Sequence, residues 1–197
     1  MTAQKLNTFA RLRELDLAKS LLIATALTQR MAVNAVLYFS STKNSDALSH
    51  IDKVLDGLWD VCLKRRKKLN AESLLDKLET FIPDPEKDDN IASFSVVDFC
   101  VALSTCVYAT QKEEDNPAVV VAKLSQGDIE RFLRITGGRD MSTQELRETP
   151  LFTYEIDIVE SFLAFVESDD LAIEDIADFR AFIVDQDLSN LGLASDI

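Results

Sequence analysis

The sequence predicts an all-α fold: one domain built as a bundle of about eight or nine helices. Helix breakers are rare, since the 197 residues include only 5 glycines and 4 prolines. Apolar residues recur at steps of three and four, and the alternation typical of strands is nearly absent. No repeat of fixed period occurs, which favours a closed bundle over a solenoid. We treat 1–197 as one domain and expect about its last ten residues to be frayed.

Two helices are predicted before residue 41. Leu6, Phe9 and Leu12 recur at every third position and indicate a short lead-in helix. Asp16 is a suitable N-cap for a long second helix, which we expect to run through Phe39.

The most apolar stretch of the chain, residues 21–39, is long enough to span a bilayer. Gln29, Arg30 and Asn34 lie near its centre, where one charge costs about 2.5–3.5 kcal/mol. We therefore expect a buried helix of a soluble protein and no membrane association. The charged N-terminal segment lacks the features of a secretory signal, so no export signal is predicted.

A third helix is predicted over about 46–66, after the N-cap candidate Ser45. Its apolar residues share one face, with Trp59 beside them: Leu48, Ile51, Leu55, Leu58 and Cys62. The basic run Lys64–Lys68 comes at the end of this helix, where positive charge complements the helix C-terminus. This role is favoured over a contact with nucleic acid or an acidic partner, because the chain has a formal net charge of −13.

A short helix and a long one come next. Asn70 is the N-cap candidate of the short helix, which Pro83 stops. After an acidic loop, residues 91–111 are apolar on nearly every face, which is typical of a helix surrounded by other helices. We expect 17–40 and 91–111 to form the centre of the core, with the helices of 46–66 and 150–183 packed around them.

Asn116 followed by Pro117 marks the start of another helix, because proline suits the first helical position. This helix is predicted to run towards Gly137, although Gly127 can kink or divide it. Its inward candidates are Leu124, Ile129, Phe132 and Leu133.

Three helix starts follow in the last third of the chain. Ser142 and Glu145 have the spacing of a capping box, and Thr149 before a proline begins a helix over about 150–167. A last helix opens at 168–170. The predicted inward stripes are Leu151, Tyr154, Ile158, Phe162 and Phe165 in one helix, and Ala172, Ile176, Phe179 and Ile183 in the other.

Charge is unevenly distributed along the chain. Residues 1–80 contain 13 basic and 9 acidic residues, whereas residues 81–197 contain 8 and 25. One interpretation is attraction within the fold together with solubility; the other is an acidic face that docks a basic partner protein. The negative total disfavours a nucleic-acid binder, because such affinity depends on neutralising phosphates.

Residues that usually carry catalysis are sparse. His50 is the only histidine, which excludes metal sites of two or three imidazoles, and we expect it at the surface or partly exposed. Cys62, Cys100 and Cys106 form no C-x-x-C pair and indicate reduced, inert thiols; a Cys–His pair is the minor alternative. No G-x-S-x-G, Walker or dinucleotide-binding motif occurs. We predict no catalytic residue, no cofactor-binding residue and no cofactor.

An acidic string in the loop after Pro83 could attract a divalent cation. Its members, Asp84, Glu86, Asp88 and Asp89, offer the oxygen ligands that Mg²⁺ and Ca²⁺ prefer. The string lacks the twelve-residue calcium-loop pattern and its glycine. A solvated loop is therefore favoured, and we assign no metal ligand.

Two charged residues lie isolated within apolar helices. A carboxylate in VVDFCVAL, Asp98, must face a gap in its apolar surroundings or find a buried partner. Arg30 is equally isolated in its own segment. We predict that Asp98 and Arg30, or another buried donor, form a polar link between the two most buried helices, with a structural role favoured over a functional pocket.

Five short segments resemble, in order and spacing, the YjaG-like family of small bacterial proteins of unknown function. They are LTQRM (27–31), VLDGLWD (54–60), LETFIPD (78–84), VVDFCVALS (96–104) and MSTQELRETP (141–150). The similarity extends from about Leu6 to Glu167. It implies an all-helical bacterial cytoplasmic protein and brings no activity, cofactor or catalytic residue.

The leading functional hypothesis is a non-enzymatic interaction module in the cytoplasm, which binds an unidentified protein or a second copy of itself. One alternative is an immunity- or inhibitor-type protein whose acidic half binds a basic toxin or nuclease. Another is an enzyme that uses carboxylates and a divalent metal ion.

Overall fold

A computed structural model describes residues 7–84, 86–88, 90–137, 140–168 and 171–195. Leu6, Asp89, Asp169 and Asp170 lie outside these ranges. Nine α-helices and no strands occur within them, which confirms the predicted fold class. The helices are α1 (Thr8–Glu14), α2 (Leu17–Ser41), α3 (Ser45–Cys62), α4 (Ala71–Glu79), α5 (Ile91–Thr110), α6 (Pro117–Thr136), α7 (Thr143–Arg147), α8 (Pro150–Val166) and α9 (Ile173–Gln186).

Several predicted helix ends are confirmed by their capping bonds. The Asp16 side chain accepts from the backbone N–H of Lys19 at the start of α2, over 3.0 Å. Pro117 begins α6, which runs through Gly127 without a break. Ser142 and Glu145 form both bonds of the capping box before α7.

Both ends of α3 differ from the prediction. Asn44, not Ser45, is the N-cap, and its side chain accepts from the N–H of Ala47 over 3.1 Å. The helix ends at Cys62, and Lys64 has a positive φ of 56° that turns the chain away. The basic run Lys64–Lys68 therefore lies beyond the helix rather than in its last turn.

Helix α2 lies at the centre of the bundle and contacts α3, α5, α6, α8 and α9. Both α2 and α5 are long and apolar enough to cross a membrane by length and composition alone. For α2, 83% of the most apolar 18-residue window is buried, but the figure for α5 is only 56%. The prediction of two central helices thus holds for α2, whereas α5 is covered on one side only.

The chain after α9 is ordered by polar contacts, contrary to the expectation of a frayed end. Ser189, Asn190 and Leu191 are buried, and the N–H of Ser189 donates to the carbonyl of Leu193 over 2.8 Å. Gly192 has a φ of +75°, the left-handed conformation that this tight turn requires. The tail segment 188–195 is therefore part of the packed structure, and residues 196–197 lie outside the described residues.

Candidate functional site

A cluster of eight buried polar residues joins four helices to the tail segment. We call it the polar cluster; its members are Arg30, Asn34, Ser95, Ser125, Asp128, Glu155, Ser189 and Asn190, each at most 5% exposed. At one end, Nη1 of Arg30 in α2 donates to Oε2 of Glu155 in α8 over 2.5 Å. Nη2 of Arg30 donates to the carbonyl of Ser189 over 3.4 Å, and Ser125 Oγ donates to Oε1 of Glu155 over 2.6 Å.

The predicted pairing of Arg30 with Asp98 is wrong. Asp98 pairs instead with Arg131 of α6, with 2.6 Å between its Oδ2 and Nη1, and this pair lies near the surface. The reason is geometric: Asp98 lies on the side of α5 that faces Arg131 of α6, whereas Arg30 points from α2 towards Glu155 of α8. Arg30 does form a buried polar link, but with a helix that the sequence did not single out.

The other end of the polar cluster is centred on Asp128 of α6. Its carboxylate accepts from Ser95 Oγ over 2.7 Å and from Asn190 Nδ2 over 3.2 Å. Asn190 Oδ1 in turn accepts from Asn34 Nδ2 over 2.8 Å. Burial raises the pKa of Asp128 to about 6, although the bonds from Ser95 and Asn190 oppose this change.

The polar cluster is closed to solvent, and its hydrogen bonds connect α2, α5, α6 and α8 to the tail segment. A buried ion pair with further hydrogen bonds fixes which helices meet, because mispairing would strand a charge in the core. Its geometry is that of a structural link. A substrate in solution cannot reach Arg30 or Glu155, which are 3% and 0% exposed.

The sequence contained a signal for Glu155 that the predicted stripe missed. The buried face of α8 is shifted by one residue from the prediction, and it consists of Phe152, Glu155, Val159, Phe162, Leu163 and Val166. Tyr154, predicted to point inward, is exposed. On the correct face, Glu155 is the one acidic residue among apolar neighbours, as Arg30 is the one cation in the middle of α2.

His50 is buried, contrary to the expectation of an exposed residue. Its Nε2 lies 2.9 Å from the carbonyl oxygen of Leu74, and its ring packs near that of Phe81. Helix α4 folds back over the polar face of α3, which covers the imidazole. Burial lowers the pKa of His50, and the hydrogen bond to the Leu74 carbonyl opposes this effect.

The three cysteines lie near α2 and α5 and away from any activating charge that the structure describes. Cys100 and Cys106 are buried, and Cys62 is half-buried. Burial raises the pKa of all three thiols to about 12. A nucleophilic cysteine requires a lowered pKa, so this environment opposes thiolate chemistry.

Acidic side chains do not converge on a cation site in the described ranges, where no group of three or more His, Cys, Asp or Glu residues has a metal-binding arrangement. Asp84 pairs with Lys87 over 2.8 Å, and Asp88 accepts from the hydroxyl of Tyr38 over 2.5 Å. The bond to Asp88 and burial raise the pKa of Tyr38 to about 12.

Ion pairs join the two oppositely charged halves of the chain. Arg11 of α1 pairs with Glu160 of α8 and, over 2.5 Å, with Glu167. Arg180 of α9 pairs with Asp56 of α3 over 2.6 Å. The pairs of Arg11 are those expected if the uneven charge distribution produces attraction within the fold, whereas in the Arg180–Asp56 pair the cation comes from the acidic half.

One face of α5 is only partly covered by the rest of the described chain. We call it the α5 outer face; it consists of Phe94, Val97, Asp98, Val101, Thr105 and Tyr108, which follow one another at helical spacing. Val101 is 44% exposed and Tyr108 is 42% exposed. The Thr105 hydroxyl donates to the carbonyl of Val101 over 2.8 Å, so its hydrogen-bonding capacity is used within the helix.

The α5 outer face carries almost no net charge. Its single carboxylate, Asp98, is neutralised by Arg131, whose guanidinium also lies 5.3 Å from the centre of the Phe94 ring. A helix that is apolar on all sides is normally buried on all sides. The α5 outer face is thus left partly without a partner; Ile135 of α6 and Phe182 of α9 are also exposed, at 55% and 54%.

Comparison with known proteins gives a consistent result. Residues 7–194 match the sequence profile of a family described as "Protein of unknown function (DUF416)". The chain is 30% identical to the uncharacterized protein YjaG of Escherichia coli K12 over 185 residues, which cover 93% of this chain and 94% of that protein. An uncharacterized protein of Haemophilus influenzae is 29% identical over the same shares of both chains.

A solved structure has the same fold. The crystal structure of a DUF416 family protein from Shewanella baltica OS155 superposes with a TM-score of 0.86 and 26% sequence identity. The superposition covers 96% of this chain and 100% of that one.

Proposed function

The chain belongs to the DUF416 family of proteins of unknown function, and we propose that it is a non-enzymatic interaction module that pairs with a second copy of itself through the α5 outer face. The observation that carries this proposal is the uncovered side of α5, a helix with apolar residues on every side. Exposed apolar surface in one continuous stripe is typical of interaction sites. Pairing would cover Val101 and Tyr108, which are 44% and 42% exposed in the single chain.

A second copy fits this face better than a partner of opposite charge. A basic partner protein requires unpaired acidic side chains at the contact, but Asp98 is already neutralised by Arg131 over 2.6 Å. In a two-fold pair, each apolar residue of the stripe meets the same kind of surface on the other copy. The 14 steps from Phe94 to Tyr108 extend about 21 Å along the helix, which is enough for one helix-to-helix contact.

The expected affinity is low, because the stripe is small. A stripe about 21 Å long and one helix wide covers a few hundred Å² on each copy, whereas a standard stable interface buries about 800 Å² per partner. The flanking surface around Arg131 adds to this area. We therefore expect a reversible dimer at micromolar concentrations, not an obligate one.

The salt dependence of binding distinguishes self-association from the docking of a partner of opposite charge. Each copy has a formal net charge of −13, so two copies repel each other at long range. Added salt screens this repulsion and should strengthen the dimer. An immunity-type interaction of the acidic half with a basic protein would weaken under the same conditions.

The test is sedimentation velocity over a concentration series with two matched variants. Val101→Lys places a charge in the centre of the α5 outer face, and Val184→Lys places one at an equally exposed valine of α9; their exposures are 44% and 45%. We expect the wild type and Val184→Lys to dimerise alike. Val101→Lys should weaken dimerisation by at least tenfold, because burying two lysines opposite each other desolvates like charges.

Three outcomes contradict the proposal. The first is a wild type that stays monomeric throughout the series. The second is an equal loss of dimerisation in Val101→Lys and Val184→Lys, which would indicate a general effect of the added charge. The third is binding of the wild type to lipid vesicles with loss on Val101→Lys, which would assign the face to a membrane. At matched ionic strength, replacing NaCl with MgCl₂ or CaCl₂ should leave dimerisation unchanged, in contrast to the expectation for a carboxylate metal centre.

A further inference from the structure

We propose that a cleft between α1, α6, α7 and α8 binds a small organic phosphate, a molecule with one phosphate monoester group and a compact apolar body. The cleft has a volume of about 430 Å³. This volume is typical of small-molecule sites in proteins. No residue of α5 lines the cleft, so it is separate from the α5 outer face.

Three cationic side chains from three helices line this cleft: Arg13 of α1, Lys123 of α6 and Arg147 of α7. All three residues are exposed, so a molecule in solution can reach them. None of the described residues that line the cleft is acidic. A cleft lined by charges of one sign focuses their field and concentrates ions of the opposite sign. The cleft is therefore positive in a chain whose formal net charge is −13, and it attracts anions.

The three cations have no acidic partner among the described residues, which is unusual in so acidic a chain. Six of the nine arginines that the structure describes form ion pairs with acids. Arg13 and Arg147 are two of the three that do not. Lys123 likewise forms no ion pair with a described residue. Arg13 donates one N–H to the carbonyl of Phe9 over 3.3 Å, and its other donors remain available to an anion.

A neighbouring acid on α8 does not neutralise this group of cations. Glu160 lies one turn beyond Ile156, which lines the cleft. The Glu160 carboxylate accepts from the Thr8 hydroxyl and pairs with Arg11. Arg11 thus shows that a cation of α1 pairs with an acid where one is within reach, whereas Arg13 faces a cleft whose described lining has none.

The number and type of the cations favour a phosphate over a carboxylate. A phosphate monoester carries a charge of about −1.5 to −2 at pH 7 and three terminal oxygens. A carboxylate carries a single charge and two oxygens. The guanidinium groups of Arg13 and Arg147 can each bind two oxygens of one group, and Lys123 adds a point charge.

The rest of the cleft favours an apolar body on the ligand. Phe9, Phe152 and Ile156 also line it, so a ring or short aliphatic group that enters the cleft is removed from water against apolar side chains. An apolar cavity of about 150 Å³ holds benzene. The cleft therefore has room for one ring together with a phosphate, and phenyl phosphate is the probe for the test.

The test is a series of amide NMR titrations at about pH 8, where the phosphate group is a dianion. We expect phenyl phosphate to bind saturably, with shifts centred on Phe9, Lys123 and Arg147. Benzoate has the same ring with a single charge, and inorganic phosphate has the charge without the ring. Each of these two should bind at least about fivefold more weakly than phenyl phosphate. Added NaCl should weaken binding, because salt screens the attraction between exposed charges.

Two variants and a matched control locate the site. Lys123→Gln and Arg147→Gln each remove one positive charge from an exposed side chain of the cleft. Each should weaken the binding of phenyl phosphate at least about fivefold and leave the fold intact. Lys67→Gln removes the same charge from an exposed lysine that does not line the cleft, and it should bind like the wild type.

Each of the following outcomes overturns the inference. Shifts that do not saturate would mean that the cleft attracts anions without binding them. Equal affinities for phenyl phosphate and benzoate would remove the preference for phosphate, and equal affinities for phenyl phosphate and inorganic phosphate would remove the role of the apolar wall. An equal loss in Lys67→Gln would indicate a general effect of charge. Binding to vesicles that contain phosphatidic acid, without binding of phenyl phosphate, would assign the cleft to a lipid headgroup.

These results are independent of self-association through the α5 outer face. Added salt should strengthen the proposed dimer but weaken the binding of phenyl phosphate. The two proposals therefore fail or survive separately.

Discussion

Replacing Glu155 with glutamine tests the physical account of the polar cluster. Glu155→Gln keeps the size of the side chain, so it creates no cavity. It removes the negative charge that faces Arg30 across 2.5 Å, and both side chains are almost fully buried. The guanidinium then keeps the carbonyl oxygen of Ser189 at 3.4 Å and the ring of Tyr154, whose centre is 5.9 Å away.

The expected loss is large for a substitution of equal size. Removing one member of a buried ion pair costs about 3–5 kcal/mol, because an uncompensated charge stays in the core. The amide can still accept from Ser125 with its Oε1, as the carboxylate does over 2.6 Å. This retained bond places the expected decrease in unfolding free energy near the lower end, at about 3 kcal/mol.

Urea unfolding measures this decrease, provided that the denaturant slope of the variants equals that of the wild type. The double variant Arg30→Met with Glu155→Gln removes both charges and should be more stable than Glu155→Gln alone, with a coupling energy of about 1–3 kcal/mol. Asp56→Asn breaks the exposed pair with Arg180 and serves as a control, with an expected loss of at most about 1 kcal/mol. The reasoning is refuted if Glu155→Gln lowers the unfolding free energy no more than Asp56→Asn does. It is also refuted if the losses measured for Glu155→Gln alone and for Arg30→Met alone simply add in the double variant.

Three further predictions concern titration and capping. Because burial raises the pKa of Asp128 to about 6 from 3.8, the folded state holds this proton more tightly; stability should fall by about 2 kcal/mol as pH rises from 4 to 6. The wild type should therefore lose stability relative to Asp128→Asn over this range in urea titrations, and parallel pH profiles would contradict the assignment. His50 is the single histidine, so its NMR titration is unambiguous; its midpoint should lie below 6.5, and a midpoint at or above 6.5 would disprove its burial. Ser142→Ala removes a bond to the N–H of Glu145 and should lower the unfolding free energy by about 1 kcal/mol, whereas an unchanged urea midpoint would show that the cap is not formed.

Helix starts were predictable where a capping signal lies within a few residues. Asp16, Asn116 with Pro117, and Ser142 each satisfy a local hydrogen-bonding or steric requirement, so the sequence around them is sufficient. The start of α3 was harder, because Asn44 and Ser45 are adjacent and both are good caps. The backbone at this turn, with a φ of 57° at Lys43, selects Asn44.

Partners across the core were not predictable from helical spacing alone. Periodicity identifies Arg30 as buried, but it carries no information on which of several helices faces it. The predicted stripe of α8 was one residue out of register, and this error hid Glu155. His50 was misjudged for a related reason, since its position looks polar on α3 alone and becomes buried only when α4 packs over it.

The tail segment illustrates a further limit. Residues 188–195 are too short to show a helical or strand period, and chain ends without such a period are normally expected to be frayed. Its order comes from hydrogen bonds of Ser189 and Asn190 to groups on α2 and α6, together with packing of Leu191 against residues of α6 and α8 that are distant in sequence. Long-range polar contacts of this kind produce no periodic pattern in the sequence, so they could not be predicted from it.

The α5 outer face shows what the sequence did and did not indicate. The sequence shows that helix α5 is apolar on nearly every side, and this pattern predicts a helix enclosed by others. In the structure, the described chain covers the inner side of α5 fully and the outer side only in part, and the proposed second copy would supply the missing neighbour.

A distance measurement between two copies tests this claim most directly. A spin label on Thr105→Cys, with Cys62→Ser removing the half-buried native thiol, places one probe per chain on the α5 outer face. Packed helix axes lie about 8–10 Å apart, so pulsed dipolar spectroscopy should give a short, well-defined distance whose amplitude grows with protein concentration. A signal with no defined distance, at concentrations where sedimentation shows a dimer, would mean that the copies associate through another surface.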